Sequence, residues 1–85
     1  MEIRFTQAAR KHRVGRAAAR RVMAHATPTG TTTAQGNPGW RYVGVDDRNR
    51  ELEIIAVEVA RGQDDMFLLV IHVMPTRLRG SDSDA

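Results

Sequence analysis

The rhythm of apolar and polar positions changes once along the 85 residues, from helical spacing to alternation. Residues 2–5 predict a short edge strand or an extended lead-in. Thr6 stands where an N-cap belongs, ahead of a short helix from Gln7 to about Lys11 that ends near His12. Val14 and Gly15 interrupt the pattern. From about Arg16 to Ala26 the apolar residues Ala18, Ala19, Val22, Met23 and Ala26 recur on one helical face. Arg13, Arg16 and Arg20 fall on another. Alanine favours this second helix, and Pro28 ends it, because the residue before a proline is pushed out of the helical region.

Thr27 to Gly39 holds no large apolar residue and is rich in Thr, Gly and Pro, which predicts a flexible loop over residues 27–39. Three strands follow: Trp40–Val45, Glu51–Ala60 and Met66–Met74. Asp46–Arg50 and Arg61–Asp65 are the turns between them. The third strand is apolar on both faces, as a central or doubly covered strand is, and Pro75 stops it. Arg77-Leu78-Arg79 adds a short terminal segment, and residues 80–85 read as a disordered tail. The expected fold is α+β, with two N-terminal helices packed on a three- to four-stranded antiparallel sheet, one domain over residues 1–79.

Composition narrows the setting. A hydrophobic fraction of 41% suffices for one small core. The absence of cysteine removes disulfides, thiolate zinc sites and cysteine nucleophiles together, and it favours a reducing cytoplasm. No apolar run reaches membrane-spanning length, and Met1 to Arg4 lacks the apolar stretch of a signal peptide. Charge is more telling. Residues 1–25 carry seven basic residues against Glu2 alone, a net +6, whereas residues 26–85 carry six arginines against nine acids, a net −3. Such segregation marks a footprint for a polyanion. Twelve of the thirteen basic residues are arginine, whose planar fork grips phosphate bidentately. A GC-rich genome would account for the preference for arginine over lysine, but not for its clustering.

The histidines His12, His25 and His72 are dispersed, with no pair at ligand spacing, so no metal and no cofactor is expected. His12, beside Lys11 and Arg13, is either a helix-terminal residue satisfying the last carbonyls or an acid–base group. His72 interrupts an apolar strand and shares parity with Leu68, Val70 and Met74. It is either a satisfied core histidine or the strand residue that faces a site. Trp40 and Tyr42 share one face of their strand, with Arg41 on the other. Aromatics beside arginines on a sheet stack exposed RNA bases, although Trp40 is expected in the core. Arg10, Lys11, Arg13, Arg16 and Arg20 form the basic cluster, which suits either nucleic acid or an acidic protein.

Three segments carry a resemblance. Ala9-Arg10-Lys11-His12-Arg13-Val14-Gly15, followed by an alanine-rich helix, resembles the K-H-G-V-S helix junction of BrnT-type toxins, small bacterial toxins related to the RelE ribonucleases. Trp40 to Asp46, then Arg50 to Ile54, is similar to that family's R-x-x-x-G-x-D hairpin. Val70-Ile71-His72-Val73-Met74-Pro75-Thr76-Arg77 is similar to its V-I-H-A-M-P-x-R ending. Arg13 stands where the family has glycine, and Gly15 where it has a capping serine.

The resemblance implies a cytoplasmic, metal-independent mRNA endoribonuclease, the toxin of a type II toxin–antitoxin module. Its cognate antitoxin would carry a ribbon-helix-helix DNA-binding domain. His72 and Arg77 would flank the site from the last strand, with His12 and Arg41 opposite. Arg10, Lys11, Arg13, Arg16, Arg20, Tyr42 and Arg79 would hold RNA. A noncatalytic nucleic-acid-binding module and a degenerate toxin that only pairs with a protein are the alternatives.

Overall fold

The computed structural model describes residues 2–10 and 13–76. Five strands form one mixed sheet: β1 (Ile3–Phe5), β2 (Thr29–Thr32), β3 (Pro38–Val45), β4 (Glu51–Ala60) and β5 (Met66–Pro75), in the order β1-β5-β4-β3-β2. Strands β2 to β5 pair antiparallel, and β1 pairs parallel with β5. A single α-helix, α1 (Arg16–His25), and one 3-10 turn (Ala8–Arg10) complete the described fold.

This corrects the expected architecture of two helices on a three- to four-stranded antiparallel sheet. The predicted first helix is only a 3-10 turn. The Thr6 hydroxyl accepts the Ala9 N–H at 3.2 Å as its cap. A stretch this short cannot offset the cost of helix nucleation by itself, and burial of Ala9 holds it against β5. The extra strand comes from the segment read as a loop. Thr29–Thr32 pairs with Pro38–Arg41, and threonine, β-branched, suits a strand despite its polarity. The turn between them is closed by the Thr33 N–H donating to the Asn37 carbonyl at 2.8 Å, with Gly36 at φ 85 where a side chain would be strained.

α1 lies across one face of β3 and β4. Its N-cap, Gly15, makes no side-chain capping bond, and its first turn carries Arg16 rather than an acid, which opposes the helix dipole. Packing therefore holds it: Ala19, Val22 and Met23 are buried against Tyr42, Leu52, Ile54, Ala56, Val70 and Val73. The helix comes close to β3 at Gly44, where a Cβ would lie 3.1 Å from Val22 Cγ1. The opposite face of the sheet, carrying Arg41, Val43, Glu53, Ile55, Val57, Leu69, His72 and Met74, has no helix over it among the described residues.

One irregularity decides which residues share that open face. The β4–β5 register jumps between Ile55 and Ala56, which pair with His72 and Val70, so Ile71 is an extra residue on β5. A bulge reverses strand parity. Leu68 and Val70 therefore face α1, while His72 and Met74 face the open side, which corrects the shared parity expected of these four. Trp40, expected in the core, lies at the rim of the helix-side face, 38% exposed, with Nε1 donating to Glu58 at 3.3 Å.

Candidate functional site

The open face has a polar centre built on three adjacent strands. Arg41 on β3 and His72 on β5 both lie opposite Ile55 on β4. Glu53, two residues before Ile55 and on the same face, reaches both along the diagonals that long side chains span. Arg41 Nε donates to Glu53 Oε2 at 2.6 Å, and His72 Nε2 stands 3.3 Å from Glu53 Oε1. The Glu53 side chain is only 8% exposed, whereas Arg41 and His72 are about one-third exposed, at 33% and 36%. A buried carboxylate is tolerable here because it is ion-paired and hydrogen-bonded.

The His72–Glu53 contact is within ion-pair reach but is not aligned as a hydrogen bond. His72 Nε2 is shut off from solvent and has no hydrogen-bond partner among the described residues. The Nε2 edge of the ring is the one turned to Glu53, so Nδ1 is the ring nitrogen left for another group. Within the Arg41 guanidinium, Nε is the atom that donates to Glu53.

Glu53, Ile55, Ile71 and His72 line a groove of about 660 Å³. Thr6 and Ala8, which follow β1, flank it on one side; Thr32, Thr33, Ala34 and Gln35 of the β2–β3 hairpin flank it on the other. That volume lies within the range of small-molecule sites, and its lining of methyl groups around a few convergent polar atoms is the usual make-up of one.

The other arginines divide into engaged and unengaged. Arg50 is tied to Asp46: Oδ2 receives Nη2 at 2.8 Å, and Oδ1 receives the backbone N–H groups of Arg48 and Arg50 at 2.9 Å each. Burial alone would raise the Asp46 carboxyl, but these bonds outweigh it and hold it below its ordinary value. Arg4 and Arg61 both pair with Glu2, Arg61 also with Asp65, and both guanidinium groups lie over the Phe67 ring, at 5.0 and 5.5 Å. These ion pairs hold Glu2 and Asp65 below the usual carboxylate range.

Of the residues singled out in the sequence, Arg41 and His72 are brought together. Tyr42 is not: it points to the helix side, is buried, and has its hydroxyl pushed up by desolvation and by Glu58. Arg16 and Arg20 lie on α1, across the sheet from His72, so the helical arginines do not converge with the β5 histidine over one concavity. Arg10 and Arg13 are exposed before α1. Lys11, His12, Arg77 and Arg79 lie outside the described residues. Glu53, which joins the cluster, was missed. Its signal was an acid interrupting the otherwise apolar inner run of β4, from Leu52 to Val57.

Comparison with protein-family models, with curated proteins and with solved structures finds no match to this chain. Among the described residues, no helix is long and apolar enough to cross a membrane.

Proposed function

We propose that this chain is a metal-independent endoribonuclease that cleaves RNA by attack of the 2′-hydroxyl on the adjacent phosphate. The observation that carries the reading is the Glu53 carboxylate holding Arg41 and His72 together at the centre of an uncovered sheet face. Such cleavage needs a base for the 2′-hydroxyl, positive charge for the phosphorane oxygens and an acid for the departing 5′-oxygen. His72 Nδ1 takes the 2′-hydroxyl proton, and Glu53 stabilises the imidazolium that results. Arg41, anchored through Nε, offers its Nη groups to the non-bridging oxygens. The 2′-oxygen to phosphorus bond forms and the bond from phosphorus to the 5′-oxygen breaks, leaving a 2′,3′-cyclic phosphate. The 5′-oxygen takes its proton from water or from a second group, for which His12 is the sequence-level candidate. The groove floor of Ile55 and Ile71 supports a ribose or a base, and the threonine-rich flanks supply hydroxyls for hydrogen bonds.

The resemblance to BrnT-type toxins supplies the biological setting: a cytoplasmic toxin that arrests translation and is neutralised by an antitoxin with a ribbon-helix-helix domain. Two results together test the reading. Induced expression arrests growth, and His72→Ala, with unchanged circular dichroism, relieves the arrest and lowers RNA cleavage by the purified chain in EDTA about 10²-fold or more. Cleavage at the wild-type rate in His72→Ala contradicts it.

A further inference from the structure

Five arginines before and along α1 have no role in the groove. Arg10, Arg13, Arg16, Arg20 and Arg21 are all exposed, and none forms an ion pair among the described residues, in contrast to Arg4, Arg41, Arg50 and Arg61. They sit before and along α1, whose inner side packs on Gly44, across the sheet from Glu53 and His72.

The outward side of α1 has a defined shape. At 3.6 residues per turn the exposed residues cover about half the helix circumference. Arg16 and Arg20 form one rim, Arg21 and His25 the other, and the exposed Ala17 and Ala24 lie between them. The alanines leave a shallow trough between two rows of basic side chains. No large apolar side chain is exposed there; Trp40, Val45 and Met66, the exposed large apolar residues among those described, all lie on strands. A protein interface gathers aromatic and other apolar residues at its centre, which this surface lacks. Nucleic-acid interfaces are polar and strongly positive.

We infer that the outward side of α1 is a second nucleic-acid surface, back to back with the groove, along which an RNA sugar–phosphate strand runs between the Arg16/Arg20 and Arg21/His25 rims. The contact reads backbone rather than sequence, and arginine supplies the bidentate phosphate geometry. It rests on the reading of the chain as an RNA-acting protein and extends it. A substrate must be long or folded enough to touch both sides of the molecule, so the favoured substrate class is structured RNA rather than short oligonucleotides.

The test is equilibrium binding of the full chain to a fluorescent RNA hairpin with 2′-O-methyl groups throughout, which cannot be cleaved by 2′-attack. Arg20 is left intact because it also contacts the Ile3 carbonyl and the Phe5 ring. The variant Arg16→Gln/Arg21→Gln removes two phosphate contacts. The slope of log affinity against log salt falls by about 1.4–1.8, and affinity falls several-fold in dilute salt, with unchanged circular dichroism. Equal binding and equal slope for the double variant overturn the inference, as does a wild-type chain that binds a poly-glutamate peptide but not the hairpin. Binding that behaves as described in a chain that cleaves no RNA rejects the ribonuclease reading and leaves this surface standing.

Discussion

Glu53 Oε1 stands 3.3 Å from His72 Nε2 across the β4–β5 pairing, and the bulge at Ile71 is what makes that meeting possible. Without the extra residue, His72 would share a face with Val70 and point under α1, away from Glu53. A single irregularity of the backbone thus turns a core position into a site position. It also commits His72, Glu53 and Arg41 to one polar unit on that face. In such a unit the contributions are not separable, and each partner's removal disables the others.

Catalysis should follow that coupling. Glu53→Gln keeps the shape of the side chain but removes the charge that favours imidazolium, and it is expected to lower kcat about 10²–10³-fold. His72→Ala is expected to lower it by the 10²–10⁴-fold typical of losing an acid–base group. The Glu53→Gln/His72→Ala double variant should be little worse than His72→Ala alone. Steady-state cleavage of a fluorogenic RNA measures all three. Fully additive losses would contradict the shared unit.

Arg41→Lys isolates geometry from charge. A lysine ammonium is a point charge without the fork that lets arginine bond Glu53 through Nε and phosphate through Nη. Activity should drop about 10²-fold with thermal stability changed by less than about 1 kcal/mol, since the partly exposed pair is screened by solvent.

Gly44 is the contact that lets α1 sit close to β3. Valine ordinarily suits a strand better than glycine, yet at this position its side chain would meet Val22 and Ala26. Gly44→Val is expected to destabilise the fold by about 1–3 kcal/mol, a fall in Tm of several degrees or more for a domain of this size. A Tm that stays level or rises would show that the helix is not held at that distance.

The turn after β3 should be acid-sensitive. The folded Asp46 carboxyl titrates below its ordinary value, so its stabilisation is full above about pH 4, where the unfolded group is ionised. It is lost as the pH falls through the lower folded value. Asp46→Asn cannot accept from Arg50 as a charged group and is expected to cost about 1.5–3 kcal/mol at neutral pH. The gap to wild type should close as the pH falls below that window. Urea titrations at pH 7 and pH 3 check both statements.

Arg13 adopts φ 58, a left-handed conformation that disfavours a Cβ. Arg13→Gly should relieve about 1–2 kcal/mol of backbone strain against a smaller entropic cost in the unfolded chain. The net gain expected in chemical denaturation is about 0.5–1 kcal/mol. A loss of stability would mean that the Arg13 side chain contributes more than its strained backbone costs.

Much of the sheet was legible because its strands alternate. β4 falls where the pattern places it, from Glu51 to Ala60, and α1 ends one residue before the predicted Ala26. β2 was illegible because threonine contributes branching rather than hydrophobicity to the pattern. The 3-10 turn was over-read because alanine favours a helix that five residues cannot sustain. The site was half legible. Arg41 stood out by its strand position and His72 as a polar residue in an apolar run. Their meeting depends on a bulge that leaves no mark in the periodicity of β5, and on Glu53, whose role needs both neighbouring strands in register.

The most direct test of the central claim is the product of cleavage. An RNA hairpin carrying a single 2′-deoxy substitution at the preferred cleavage position is incubated with the purified chain in EDTA, beside the all-ribose parent, and the fragments are resolved by mass. The account predicts that the parent yields a 2′,3′-cyclic phosphate and a 5′-hydroxyl end, and that the substituted strand stays intact at that bond. Cleavage of the deoxy-substituted bond, or products ending in 5′-phosphate, would contradict it.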